Sequence, residues 1–360
     1  MNPIARNELW QRLRQHALVT GDVPPLVMST PWYVRVMLGV AGWIGALFLM
    51  GFVGVGFAFV MKSAVASVSV GMLCCGAAFA IFRMARNSDF ASQFGLAVSL
   101  AGQGMIMSGI FNVFKFDAPA AFLWIAALEA SLAVLMPNFI HRVLATAGAV
   151  LALSMSFTRF GIGDVVPAIT AAGMAAAWLN ERRWAAHGAL LQPIGYGLTL
   201  ALLGMEVSDL FRYGTLLAAG VKRGTELAYL TPYFGAALLA AVFVYTVARL
   251  LSDEGVSISG KVGVASMAAA LLAGALAFPA PGITVALLIL LLGFAGGNRV
   301  LIGLALFGLL GFVSHYYYQL QTTLLVKSAV LAATGVALLA ARIALQRYFP
   351  AAANKENSHA

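Results

Sequence analysis

Apolar residues in this chain come in long blocks rather than in the two-residue alternation of a half-buried strand. The stretches from Val143 to Phe157 and from Ile283 to Phe294 are almost unbroken apolar runs. Twelve such blocks can be marked, at 36–61, 64–82, 92–113, 119–136, 140–157, 165–179, 187–206, 232–249, 262–278, 282–296, 300–317 and 324–342. About 20 apolar residues cross a hydrocarbon layer about 30 Å thick. Backbone groups find no water there, so a crossing segment is a helix or a strand of a closed barrel. Barrel strands alternate apolar and polar residues, and these blocks do not. The expected fold is therefore all-α: a polytopic transmembrane bundle of about 12 helices, with a range of about 10–12. The range reflects the short sixth and tenth blocks, which are either half-spans or tightly packed interior helices.

Three regions follow from the pattern: residues 1–33, the transmembrane domain at 34–346, and a tail at 347–360 expected to be disordered. Within 1–33, Asn7 is placed to cap a short amphipathic helix in which Leu9, Leu13 and Ala17 recur at four-residue spacing. That helix either lies in the membrane interface or folds against neighbouring loops. The first 33 residues hold no early apolar core, so no cleavable signal peptide is expected.

Composition agrees with the blocks. The chain is 61% hydrophobic and 10% charged, with mean hydropathy +0.91. A soluble domain carries about 25% charged residues, so this one could not cover a water-facing surface and must turn apolar area toward lipid. The net charge of +9 and pI near 9.8 would suggest nucleic acid in a soluble protein. Here they come from loop composition, and no nucleic-acid partner is expected. With residues 1–33 placed inside and the blocks alternating, seven of the 22 Lys and Arg fall outside: Lys62, Lys115, Arg159, Arg212, Lys222, Arg223 and Lys327. The other 15 fall inside, at least one in each inner loop. This positive-inside bias was not used to draw the blocks, and it places both termini in the cytoplasm. Most loops are short, which makes successive helices antiparallel neighbours. The exception is an outer loop expected at 207–231, either a solvated cap or a functional segment.

Few residues in the bundle carry chemistry. Glu129 interrupts an apolar block about ten residues after Pro119, about 15 Å deep at 1.5 Å per residue. A carboxylate there costs about 2.5–3.5 kcal/mol on insertion scales. It is either a proton or cation relay, or a neutral acid hydrogen-bonded to Gln103, Gln192 or Ser108. Toward the outer ends of their blocks, Glu206 and Lys327 could pair. His315, Tyr316 and Tyr317, with Gln319 and Gln321, form a polar aromatic cluster at the same level. That cluster is either an interfacial aromatic belt or a site open to the outer compartment. Glycines recur at Gly39, Gly42, Gly45, Gly51 and Gly54, and at Gly293, Gly297, Gly303, Gly308 and Gly311, and point to close helix packing.

Signals of enzymatic chemistry are weak. Gly161-Ile162-Gly163-Asp164 matches the tetrapeptide of intramembrane aspartyl proteases, but that chemistry needs two aspartates sharing a proton and no Tyr-Asp occurs. There is no HExxH, phosphate-binding loop or dinucleotide fingerprint. Cys74 and Cys75 are adjacent in an apolar block, which supports neither a disulfide framework nor a metal site. His141 and His187 read as inner-loop residues beside Arg142 and Arg183. No catalytic activity, cofactor or metal is expected.

The two ends of the chain carry a resemblance. Pro31-Trp32-Tyr33-Val34-Arg35 leads into the glycine-rich stretch 43–56. The closing hairpin reads Tyr316-Tyr317-Tyr318-Gln319-Leu320, then Thr323-Leu324-Leu325-Val326-Lys327-Ser328. Together they resemble a bacterial inner-membrane family catalogued as domain of unknown function 4401, related to the group catalogued as 2157. The resemblance covers nearly the whole chain. It implies a bacterial inner membrane and a partner, a small membrane protein with a GDYxxLxY motif encoded alongside. It also gives weight to Lys327 and the Tyr316–Tyr318 run. Two functional readings remain open: a non-enzymatic membrane subunit acting with another membrane or envelope protein, and a transporter or channel using Glu129. A membrane enzyme built on the outer cluster is third.

Overall fold

The computed structural model describes residues 3–16 and, apart from short breaks at 85–87, 115, 117, 182, 219–225 and 279, residues 60–319. Elsewhere it describes scattered positions only, and it describes no side chain between 209 and 232. The blocks at 36–61 and 324–342, Lys327, Gln319's side chain, Gln321 and the tail at 347–360 lie outside this description.

Among the described residues there are eleven α-helices and no strand. Helix α1 spans Pro3–Gln15, so Asn7 lies inside it rather than capping it. Ten apolar helices follow: α2 Ala64–Met84, α3 Asp89–Val113, α4 Pro119–Leu135, α5 Phe139–Arg159, α6 Val166–Leu179, α7 Gly188–Ala218, α8 Glu226–Asp253, α9 Lys261–Leu276, α10 Pro281–Ala295 and α11 Arg299–Gln319. Six helices are long and apolar enough to cross a membrane by length and composition, and α4, α6, α9 and α10 are shorter apolar helices. The chain is a membrane protein of helical type.

Helix ends follow local chemistry. The Ser88 side chain accepts from the Ala91 N–H at 3.2 Å and starts α3. Asn138 does the same for α5, accepting from the His141 N–H at 2.9 Å. Each satisfies one of the orphan donors of a helix start. Proline stands in the first turn of α4, α6 and α10, where no N–H is needed. Between α10 and α11, Gly297 takes φ +63°, a left-handed conformation that only glycine adopts without strain. Asn298 then caps α11, accepting from the N–H groups of Val300 and Leu301 at 3.1 and 3.2 Å.

One expectation is corrected, and one of two open readings is supported. The long outer loop is mostly helix: α7 continues to Ala218 and α8 starts at Glu226, giving helices of 31 and 28 residues. The short sixth and tenth blocks are interior helices. Seven of the 14 residues of α6 and eight of the 15 of α10 are buried, whereas 17% of the spanning window of α11 is.

The helices pack as antiparallel hairpins, α2 with α3, α4 with α5 and α10 with α11. The α2–α3 pair is closely apposed. A Cβ on Gly71 would stand 2.6 Å from the Gly102 carbonyl oxygen, and one on Gly102 would stand 2.7 Å from that of Gly71. Small residues allow such approach, although this pair is not among the expected glycine runs. In those runs, Gly293 and Gly308 are packed closely, while Gly303 and Gly311 face open space. The core has two main centres. One joins α2–α5 around Phe82, Leu96, Leu132 and Ala145. The other joins α6–α11 around Met174, Leu202, Leu288 and Leu301.

Candidate functional site

Glu129 stands on the inward face of α4 with Ile125, Leu132 and Ala133, and is 2% exposed. Opposite it on α5 is Gly148, where a Cβ would meet the Glu129 carboxyl at 3.4 Å. The missing side chain of Gly148 thus makes room for the carboxyl. The Oε1 atom is buried and has no hydrogen-bond partner.

The donors expected for it are placed elsewhere. Gln103 is buried on α3, 5% exposed, but its amide donates to the Ser99 hydroxyl at 3.3 Å and to His141 Nε2 at 2.9 Å. Gln192 is exposed on α7, on a groove with Trp178, Glu181 and Trp184. Ser108 is half-buried on α3 and makes no hydrogen bond to Glu129. The grouping of Glu129 with Gln192 is therefore not found, and Gln103 is a neighbour of a different group.

That group is His141. Sequence reasoning assigned it to a loop, yet it is 1% exposed in the first turn of α5. Its Nε2 lies 2.7 Å from Ser99 Oγ and 2.9 Å from Gln103 Nε2, and its ring packs edge-on against Phe82. With donors gathered at Nε2, a neutral ring carries its proton on Nδ1, and Nδ1 has no partner. Cys75 reaches the same place from α2, its thiol donating to the Ser99 carbonyl at 3.8 Å. Toward the α4–α5 turn, Asn138 Nδ2 donates to Ser92 Oγ at 2.8 Å. The first half of the bundle thus encloses Ser99, Gln103 and His141, linked across helices, with Glu129 of α4 beside Gly148, two turns farther along α5. A signal for this was present: Ser99 and Gln103 are four residues apart, and His141 and Gly148 seven, so each pair shares a helix face.

The outer cluster is only partly brought together. Glu206 is buried on α7, 7% exposed. His315, Tyr316 and Tyr317 are half-buried on α11, with the His315 and Tyr316 rings 5.7 Å apart. The two helices run parallel and touch, with a Cβ on Gly308 3.0 Å from Leu203. Asp164 follows the tight turn at Gly161, φ +79°. No group of three or more His, Cys, Asp or Glu placed to hold a metal occurs among the described residues.

The family model described as Domain of unknown function (DUF4401) matches residues 31–348. No curated protein and no solved structure matches the chain.

Proposed function

We infer that this chain, which belongs to the DUF4401 family, is a non-enzymatic multi-pass protein of the bacterial inner membrane whose working group is the Glu129 carboxyl, loaded and unloaded by a proton. Its topology in this reading is twelve spans with both termini in the cytoplasm. The ten apolar helices account for ten of them, and the blocks at 36–61 and 324–342 complete the set.

One observation carries the reading: Glu129 is 2% exposed and its Oε1 has no donor. A buried polar group left unsatisfied costs about 1–3 kcal/mol. An acid kept for structure would be saturated with donors, and Gln103 and Ser99 are spent on His141 instead. Ionisable groups held inside membrane bundles mark ion and proton paths. Purified protein in liposomes, with a pH gradient and an internal pH dye, tests it. Wild type is expected to move protons, alone or with a co-solute, and Glu129→Gln to abolish this. Equal flux from both would end the proposal.

The family resemblance favours a second reading, a subunit that works with a small GDYxxLxY-motif membrane protein. Co-purification in mild detergent from cells carrying both genes tests it. A chain that elutes alone under those conditions argues against it.

A further inference from the structure

Resting on the reading of Glu129 as a proton site, we propose that Glu129 exchanges its proton with the compartment at the Asn138 end of the α4–α5 hairpin, and that His141 is the group through which it does so.

The geometry begins with α5. His141, Ala145 and Gly148 lie on one helix face, and Gly148 is where the Glu129 carboxyl rests. Seven residues at 1.5 Å put the imidazole and the carboxyl about 10 Å apart along the axis. Gln103 stands one turn beyond Ser99 on α3, and its amide binds His141 Nε2. Polar atoms therefore extend from His141 in the direction of the acid. His141 Nδ1 and Glu129 Oε1 are both buried without partners. A neutral imidazole can take a proton at one nitrogen and release one from the other. A proton arriving at His141 passes to the Glu129 carboxylate, and release reverses the step with nothing else consumed.

The route is one-sided. Toward the hairpin turn, Asn138 and Ser92 are hydrogen-bonded just before His141. Toward the opposite end, Ile125, Ala126 and Ala152 close over Glu129, with Met107 and Phe111 packed against them. Beyond that closure the buried polar side chains at this end are Ser154 and Ser156 in the last two turns of α5, and the Ser156 hydroxyl donates to the Pro119 carbonyl at 3.0 Å. The ionisable groups within the packed elements are Cys74 and Cys75 of α2, Glu129 of α4, and His141 and Arg142 of α5, while Arg83, Asp89 and Arg159 are exposed at the ends of α2, α3 and α5. Arg142 turns away, its guanidinium donating to the Ala189 carbonyl at 2.8 Å. The buried polar groups from α3 beside His141 are the neutral Ser99 and Gln103.

A hydrophobic carbodiimide, which reacts with protonated carboxyls in apolar surroundings, reads the protonation of Glu129 without any transport assay. The full chain is placed in liposomes of known orientation and labelled, and the Glu129 peptide is quantified by mass spectrometry. The pH on each side is varied separately. Labelling is expected to be lost as the Asn138-side pH rises and to ignore the other side. In His141→Gln the response to that side is lost or greatly slowed. Gln103→Leu, which removes the next polar atom, gives the same slowing if His141→Gln does not fold. Labelling that follows the opposite compartment, or a Gln103→Leu response as fast as wild type, overturns the route while leaving Glu129 a proton site. Absence of labelling in wild type at every pH ends both.

Discussion

A carboxyl buried to 2% exposure beside a glycine, with one oxygen lacking a donor, opposes folding. Replacing an unsatisfied buried polar group by an apolar one of similar size is neutral or stabilising. Glu129→Leu is therefore expected to raise the unfolding free energy in mild detergent by about 1–3 kcal/mol while abolishing any proton-linked activity. A fall in the thermal midpoint would mean that the acid is structural. His141 predicts the opposite sign. Ser99→Ala with Gln103→Leu strips both neighbours from its Nε2, leaving a buried acceptor bare and costing about 1–3 kcal/mol; the same thermal scan measures it. Glu129 was legible in the sequence because a charge in an apolar block stands out. Its surroundings were not. Gln103 and Gln192 look alike as polar residues in apolar helices, and only the packing of α3 and α7 turns one inward and the other out. His141 was mistaken for a loop residue because Pro137, Asn138 and Arg142 surround it. The helix begins at Phe139, and the packing of its first turn against Phe82, Ser99 and Gln103 puts the ring in the core.

At the scale of helices, the α2–α3 contact makes the sharpest prediction. Gly71→Ala would place a Cβ 2.6 Å from the Gly102 carbonyl oxygen, so the helices must separate, at about 1–3 kcal/mol as for other overpacked sites. Gly104→Ala on the same helix pair meets nothing within 4 Å and is expected to be neutral or slightly stabilising, since glycine lowers helix propensity by about 1 kcal/mol against alanine. Comparing the two by thermal unfolding separates packing from propensity; equal effects would show that the close approach carries no energy. Helix positions were legible because apolar blocks end where Ser88, Pro119, Asn138 and Pro281 stop or start them. The α7 and α8 extensions were not, because Asp209, Arg212 and Glu226 read as loop when only charge is weighed. A helix already nucleated adds residues at little cost, so a moderately polar sequence can continue beyond the apolar block.

At the scale of the whole molecule, helix number and orientation are one question. Of the 22 Lys and Arg, 15 fall on one side when twelve spans are counted from an inner N-terminus. If one early span were dropped, Arg142, Arg182, Arg183, Arg249, Lys261 and Arg299 would all move to the outer side, against the bias that sets membrane orientation. Reporter fusions decide between these counts. A fluorescent protein that matures only in the cytoplasm is expected to light up when joined after Asn87 or at Ala360. A phosphatase active only outside is expected to work within 219–225. A dark Ala360 fusion with an active phosphatase at the same point would make the number of spans odd. The outcome also bears on the proton route. The α4–α5 turn lies an even number of spans from α2–α3, so a fluorescent Asn87 fusion puts Asn138 on the cytoplasmic side. Glu129 would then be loaded from the cytoplasm through His141, with the apolar closure at Ile125 and Ala152 facing outward. Moving protons across the membrane would then need that closure to open through a rearrangement of α4 against α5, the hairpin in which Gly148 makes room for the carboxyl.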